Sequence, residues 1–200
     1  MERRTGIYSG AFDPVHPGHI AFAEKALRVC ALDEVVFLPE QKPRGKNQVT
    51  SIMHRLALIE RATETIADLR AVRLTSEQFS VKQTLPELHQ AFCNSHLTLL
   101  VGSDVVHTFL YRWEGLHTLL ADVALAIGMR SGDTPDAVTA VMDQLTHAYG
   151  FPIHYTLIST PEADMASSQF RNGTADMSRL HPRVLAYMQK YQLYAQPPQV

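Results

Sequence analysis

The stretch that decides the fold reads Gly10-Ala11-Phe12-Asp13-Pro14-Val15-His16-Pro17-Gly18-His19. It follows a short apolar segment and precedes an amphipathic run that begins at Ile20. This order predicts a strand, a loop and a helix that starts at Pro17, since proline is favoured at the first helical position. The first turn of a helix has unpaired N–H groups and the positive end of the dipole, so it binds phosphate. The two histidines predict a site whose imidazoles meet charge developing on a reacting phosphate.

The composition predicts one compact domain with a small-molecule partner. The chain has 200 residues, is 46% hydrophobic and carries a formal net charge of -2. We expect a domain over 1–194 and a disordered tail over 195–200. Without a strong field of one sign, we expect neither nucleic acid nor a membrane as partner. Cys30 and Cys93 lack metal-binding spacing, and we find no signal peptide or spanning segment, which favours the cytoplasm. The oligomeric state is left open.

Apolar runs with strand character alternate with helical patterns along the chain. The alternation predicts an α/β, Rossmann-like, doubly wound parallel sheet with a small C-terminal helical segment. Ligands bind such sheets at the carboxyl ends of the strands, where four polar clusters fall: 13–19, 39–46, 102–104 and the segment after Leu157. Strands are predicted over 5–9, 34–38, 69–74, 97–101, 123–127 and 153–157, and helices over 17–30, 51–67, 80–92, 113–121, 134–149, 167–172 and 182–192.

Glycine-rich phosphate loops are missing from this sequence. Neither G-x-G nor G-x-x-x-x-G-K-[ST] occurs, which excludes P-loop chemistry. The histidines and the helix start would then replace the glycine-rich backbone, and Gly18 would allow close approach of a ligand. Two alternatives stay open for His16 and His19: ordinary polar loop residues, or a zinc pair, because histidines three residues apart on a helix can share a metal.

The ten-residue stretch resembles the nucleotidyltransferase superfamily, which is marked by H-x-G-H. Its Gly-x-Phe-Asp-Pro-x-His form is similar to that of the nicotinate-mononucleotide adenylyltransferases. The similarity covers nearly the whole chain and includes the basic loop 39–46 with His54-Arg55-Leu56, the segment 99–104 with Trp113, the segment 165–171 and the closing helix 184–194. The resemblance implies transfer of AMP from ATP to nicotinate mononucleotide, giving deamido-NAD and pyrophosphate, with Mg²⁺ accompanying ATP.

The resemblance also implies roles for individual residues. His16 and His19 are the expected catalytic residues, and Trp113 is expected to stack on the pyridine ring. The expected ATP site comprises Gly10, Phe12, His16, Gly18, His19, Lys46, Gly102, Asp104, Ser167, Ser168 and Arg171. The expected mononucleotide site comprises Ser9, Ala11, Lys46, Arg55, Thr84 and Trp113. No residue of the chain is assigned as a metal ligand.

Several of these residues also have simpler interpretations. Lys46 lies in a basic loop that can close on polyphosphate or remain solvated. Asp104 can accept hydrogen bonds from a ribose or base, or cap the following helix. Ser167, Ser168 and Arg171 fit anion binding at a helix start, or a plain N-cap with a surface arginine. A surface ion pair is the simpler role of Arg55, and a core or rim aromatic that of Trp113.

The chain departs from the family on the acceptor side. The family often has Pro-Ser-Tyr-Thr before its third helix, where it helps to hold the nicotinate carboxylate, whereas segment 77–85 reads EQFSVKQTL here. Ala166 stands where the family has Ser. Asp104 and Trp113 are one residue further apart in this chain than in the family. Open alternatives are nicotinamide mononucleotide or another phosphate acceptor, a metal-dependent hydrolase with His16, His19 and Asp104 as ligands, and a non-catalytic nucleotide-binding regulator.

Overall fold

The structure is a computed structural model that describes residues 2–46, 48–111 and 113–194. Its strands are β1 Arg3–Gly10, β2 Glu34–Pro39, β3 Leu69–Ala71, β4 Ser95–Gly102, β5 Ala124–Gly128 and β6 Tyr155–Ile158. Its α-helices are α1 Pro17–Val29, α2 Ile52–Thr63, α3 Val81–Ala91, α4 Ser103–Thr108, α5 Leu116–Asp122, α6 Pro135–Tyr149, α7 Ser167–Arg171 and α8 Pro182–Lys190. Short 3₁₀ helices cover Phe109–Tyr111 and Met177–Arg179. No helix in these described ranges has the length and apolar character needed to cross a membrane.

The six strands form one parallel sheet in the order β3-β2-β1-β4-β5-β6. This is a doubly wound order, so the predicted Rossmann-like fold is confirmed. The chain reverses its direction of winding between β1 and β4, which opens a crevice at their carboxyl ends. Gly10 pairs with Pro39, and Gly102 pairs with Gly128. The register therefore brings the polar segments after β1, β2, β4 and β5 to one edge of the sheet.

Apolar side chains fill both faces of the sheet, as a doubly wound sheet requires. Neighbouring residues of one strand point to opposite faces, so Leu99 packs in one core and Leu100 in the other. Each fully buried side chain of this size stabilises the fold by roughly 1.5–3 kcal/mol. Leu99 shares its core with residues of α3, α5 and α6, and Leu100 with residues of α1, α2 and α8. The central strands β1 and β4 are thus packed on both faces and can hold site residues rigidly.

The predicted elements differ from the structure in three informative places. The helix predicted to begin at Trp113 begins at Leu116, because Gly115 has a φ of 77° and turns the chain just before it. Helix α4 was not predicted as an element, since six residues are too few to show a helical period. Strand β3 ends at Ala71 rather than Leu74, since this edge strand pairs only with β2. The tail predicted over 195–200 lies outside the described residues.

Candidate active site

The two histidines lie where β1 gives way to α1. His16 is the N-cap residue of α1, and His19 lies in its first turn. Their ring centroids are 3.6 Å apart, and the His16 residue is only 4% exposed. The Nδ1 atom of His19 accepts a hydrogen bond from the backbone N–H of His16 at 3.2 Å. Because Nδ1 accepts, the neutral His19 ring carries its proton on Nε2, which remains a donor for a ligand.

Burial keeps both imidazoles neutral. Burial, with a smaller contribution from the positive charge of Arg130, lowers the pKa of His16 to about 3. Burial also lowers the pKa of His19 well below its usual value, with smaller contributions from the charges of His16 and Arg130. Near neutral pH the pair therefore offers neutral N–H donors, and the positive charge of the site comes from other residues.

A strained turn supports the His19 ring. Phe12 has a φ of 49°, a left-handed conformation that non-glycine residues rarely adopt. Its ring is buried and meets His19 edge-on at 5.0 Å, with Tyr8 and Phe37 at similar distances. A Cβ atom on Gly10 would lie 3.2 Å from the Phe12 ring. Gly10 and Phe12, both expected in the ATP site, thus position His19, the expected catalytic histidine.

The loop between β1 and α1 is fastened from the C-terminal part of the chain. The buried carboxylate of Asp13 accepts hydrogen bonds from the Tyr194 hydroxyl at 2.6 Å and the Thr50 N–H at 3.3 Å. Arg171 Nη1 donates to the Asp13 carbonyl at 2.5 Å, and Ser167 Oγ donates to the Pro14 carbonyl at 2.9 Å. The structure thus brings α7 against the histidine loop, and this joining role of Asp13 was not predicted.

The ends of β4 and β5 contribute a second set of polar groups. Asp104 faces Arg130, with 3.5 Å between the carboxylate Oδ1 and the guanidinium Nε. The backbone N–H of Arg130 donates to the buried Ser103 hydroxyl at 2.9 Å. A Cβ atom on Gly102 would collide with the Asp104 carboxylate, so a larger residue here would push Asp104 aside. Sequence reasoning missed Arg130, although it is the basic residue that follows the predicted fifth strand.

These groups open onto one cleft. The loop after β6 closes one side of it, because the Glu162 carbonyl would lie 2.9 Å from a Cβ atom on Gly18. The close approach expected at Gly18 therefore comes from the protein's own backbone. The cleft is lined by Tyr8, His16, Gly18, His19, Phe22, Gly102, Gly128, Met129, Arg130, Thr160, Glu162 and Ala163.

Lys46 and Arg171 lie close enough to influence each other. Partial desolvation lowers the pKa of Lys46, and the nearby Arg171 charge lowers it further. Two cations that repel each other across a gap favour an anion between them. Ser168 lies in the first turn of α7 with an exposed side chain. The structure therefore places these expected ATP-site residues on the same side as the histidine loop.

Arg55 does not have the surface position that its simpler interpretation, a surface ion pair, requires. Its side chain is fully buried, and each guanidinium nitrogen donates to a backbone carbonyl at 2.7 Å: Nε to Thr50, Nη1 to Ala11 and Nη2 to Glu40. These hydrogen bonds give Arg55 a role in holding the two loops together, and its contact with the mononucleotide stays a prediction. Ser9 joins the same network, since its hydroxyl donates to the Glu40 carboxylate at 3.0 Å.

Trp113 lies in the turn before α5 and is half-buried. Its Nε1–H donates to the Thr108 hydroxyl at 3.1 Å, and Phe109 meets it edge-on at 5.0 Å. The Arg44 guanidinium lies over the ring, 5.7 Å from its centroid. Thr84 is buried at the start of α3, where its hydroxyl accepts the Ser80 N–H at 3.0 Å. The Thr84 hydroxyl thus stabilises the start of the helix to which it belongs.

Metal-binding side chains do not cluster in the cleft. Within 2–46, 48–111 and 113–194, no group of three or more His, Cys, Asp or Glu residues is placed to hold a metal ion. The Asp104 carboxylate faces Arg130. The trio His16, His19 and Asp104 therefore does not have the geometry that the hydrolase alternative needs.

Comparison with known proteins identifies the family of this chain. The cytidylyltransferase-like family model matches residues 7–173. Two curated relatives carry the name "Probable nicotinate-nucleotide adenylyltransferase". The one from Herpetosiphon aurantiacus is 32% identical over 203 residues, covering 96% of this chain and 98% of the relative. The one from Gemmatimonas aurantiaca is 31% identical over 181 residues, covering 86% and 82%.

Solved structures share the fold. The Plasmodium falciparum nicotinic acid mononucleotide adenylyltransferase complexed with NaAD superposes with a TM-score of 0.76 at 19% identity, covering 98% of this chain and 100% of that one. The fold, the sequence motif and the curated relatives all indicate the same family. The chain therefore belongs to the cytidylyltransferase-like family and, within it, to the nicotinate-nucleotide adenylyltransferases.

Proposed function

We propose that this protein transfers AMP from ATP to nicotinate mononucleotide, forming deamido-NAD and pyrophosphate. The observation that carries the proposal is the pair of neutral, closely packed imidazoles at the start of α1, with the Nδ1 atom of His19 already engaged by backbone. The names of the relatives agree with this activity. Binding alone would not require a buried donor whose tautomer is fixed.

The reaction needs no nucleophile from the protein. A phosphate oxygen of the mononucleotide attacks the α-phosphorus of ATP in line, and the bond from that phosphorus to the bridging oxygen of pyrophosphate breaks. Catalysis then depends on positioning and on stabilising charge. His19 Nε2–H donates to an oxygen of the α-phosphate as negative charge grows there. His16, at the positive end of α1, holds the neighbouring phosphate.

The cations around the cleft receive the leaving group. Lys46 and Arg171 bind pyrophosphate, and an anion between them restores the lowered pKa of Lys46. Ser167 and Ser168, in the first turn of α7, add hydroxyl groups to this phosphate-binding side. Asp104 and Gly102 lie on the nucleoside side of ATP, where a carboxylate accepts hydrogen bonds from hydroxyl groups. Arg130 adds positive charge near both histidines.

The mononucleotide lies on the other side of β1. Ser9 lies near the end of that strand and Ala11 directly after it, both beside the loop 39–46. Trp113 offers an aromatic face to the pyridine ring. Thr84 supports this side from the start of α3. Arg55 acts indirectly, by holding the Ala11 and Glu40 carbonyls.

Magnesium enters this scheme with ATP. Bound to the phosphates, Mg²⁺ neutralises part of their charge and keeps several waters, so it needs few protein ligands. We assign no side chain to it, in keeping with the lack of a metal-ligand cluster in the described part of the chain. The proposal places the reaction in the cytoplasm, where free thiols such as Cys30 and Cys93 stay reduced.

The test is product formation by the purified protein. ATP with nicotinate mononucleotide should give deamido-NAD by mass spectrometry and an equal amount of pyrophosphate. Matched reactions contain nicotinamide mononucleotide or no acceptor. Lack of dinucleotide product with both acceptors would overturn the proposal. Release of AMP from ATP without an acceptor, together with tightly bound zinc by elemental analysis, would favour the hydrolase alternative.

A further inference from the structure

We infer that Arg44 recognises the carboxylate of the nicotinate ring and makes the enzyme select the acid over the amide form of the mononucleotide. The inference rests on the proposed function and deepens it. It answers a question raised by the sequence, since this chain lacks the Tyr-Thr pair that the family often places before its third helix.

Three hydrogen bonds attach the loop that carries Arg44 to the segment before α3. We use "flap" for residues 39–46, the loop after β2. The Lys42 N–H donates to the Glu77 carbonyl at 2.8 Å, and the Gln78 side chain donates to the Lys42 carbonyl at 3.1 Å. Arg44 Nη2 donates to the Phe79 carbonyl at 3.2 Å. The flap is therefore bound along the segment 77–79, directly before α3.

Arg44 also lies against the expected pyridine platform. Its guanidinium is 5.7 Å from the centroid of Trp113, and the Trp113 ring is held by Thr108 and Phe109. The turn that carries Trp113 packs on the start of α3, since a Cβ atom on Gly115 would lie 3.0 Å from Val81. A pyridine ring that stacks on this face of Trp113 moves the guanidinium aside to the edge of the pyridine ring, where the carboxylate lies.

The charge of Arg44 is open to a ligand carboxylate. Within the described residues, no carboxylate forms an ion pair with Arg44, whereas its neighbour Lys42 pairs with Glu77 at 2.7 Å. Glu40 acts on Arg44 only through space, and the Glu40 carboxylate is held by the Ser9 hydroxyl and the Phe79 N–H. A guanidinium binds a carboxylate through two parallel hydrogen bonds. A neutral amide offers one acceptor oxygen and no charge, so it gains much less.

The experiment compares kcat/KM for nicotinate and nicotinamide mononucleotides at saturating ATP. The wild type should prefer the nicotinate form. Arg44→Ala should lose roughly tenfold or more with nicotinate mononucleotide, the scale of a lost charge-assisted hydrogen bond, and about twofold or less with the amide. Arg44→Lys should lie between, because it keeps the charge and loses the planar fork. Trp113 is the only tryptophan, so its fluorescence gives each mononucleotide's Kd without turnover.

Lys42→Ala is the matched control, since it removes a neighbouring flap cation that already has a partner. It should change both mononucleotides by the same small factor and leave their ratio unchanged. Equal losses for both substrates in Arg44→Ala would show a merely structural role and overturn the inference. So would a wild-type preference for the amide. Failure to make dinucleotide from either acceptor would instead overturn the proposed function.

Discussion

The expected phosphate half and the expected pyridine half of the proposed site are built differently. The phosphate half comprises the loop 10–19 with Lys46, Arg130 and Arg171, and it lies on the central strands β1 and β4 over buried aromatic rings. The pyridine half comprises residues 39–45 of the flap, the segment 77–85 and Trp113, and its contacts are largely exposed. The first half agrees with the family motif, and the second departs from it. A shared reaction needs fixed donors, whereas acceptor choice can be set by residues on a replaceable surface.

Substitution of His19 tests the difference between the two halves most strongly. His19→Ala should lower kcat by roughly 10²–10³, because one well-placed donor to developing phosphate charge contributes about 2.7–4 kcal/mol to the barrier. The loss should be equal for nicotinate and nicotinamide mononucleotides, since this donor belongs to the phosphate half. Steady-state turnover with both acceptors measures it.

His117→Ala controls for the loss of a histidine. His117 is exposed on α5 and packs on Tyr149 and Phe151, so its removal should leave turnover near that of the wild type. Turnover of His19→Ala within about threefold of the wild type would refute the role of His19. A loss confined to one mononucleotide would erase the distinction between the halves.

Arg55 is the residue that joins the two halves. Arg55→Met should lower the free energy of unfolding by about 3 kcal/mol or more, because three buried carbonyls lose their donor. Urea denaturation measures this. Arg61→Met on the same helix loses a cation–π contact with Tyr187 and should cost less than about 1 kcal/mol. If Arg55→Met unfolded like the wild type and lost only mononucleotide affinity, its role would be the expected one in binding and not that of joining the loops.

The pH dependence of stability should come from the phosphate half. The pKa of His16 is about 3 in the folded protein and near 6.5 in the unfolded chain, so the unfolded chain binds more protons between these values. Stability is therefore complete above about pH 6.5 and falls as the pH drops. From pH 7 to pH 5, His16 alone should remove about 2 kcal/mol, with a loss of the same sign from His19.

Urea denaturation at the two pH values tests this effect. His16→Gln should show a smaller drop between pH 7 and pH 5 than the wild type, whatever its stability at pH 7. His117→Gln, at an exposed position, should show the wild-type drop. An identical drop in wild type and His16→Gln would mean that the His16 imidazole is already protonated or exposed in the folded protein.

Substitution of Lys46 should have the smallest effect of these changes. It tests whether this residue belongs to the phosphate half or to the pyridine half. Lys46→Ala should raise KM for ATP by about tenfold, with less change in KM for the mononucleotide, since it binds the leaving phosphates. Lys25→Ala removes an exposed lysine of α1 and should leave both values unchanged. A rise only in KM for the mononucleotide would move Lys46 to the pyridine half.

Sequence patterns predicted the sheet and the phosphate half because both depend on local signals. The strand, Pro17 and the histidines are contiguous, and the alternation of strands and helices fixes which ends converge. Long-range contacts carried no such signal. Arg55 looked like a surface cation until Thr50, Ala11 and Glu40 were seen around it. The link from Tyr194 to Asp13 spans 181 positions, and Arg44 reaches Trp113 only through the folded flap.

A crystal structure with a non-hydrolysable ATP analogue tests the central claim most directly. The account predicts His19 Nε2 within about 3.2 Å of an α-phosphate oxygen, the Nδ1 contact to the His16 N–H kept, and the terminal phosphates between Lys46 and Arg171. A triphosphate bound elsewhere, or bound in the cleft with both imidazoles turned away from it, would contradict the account.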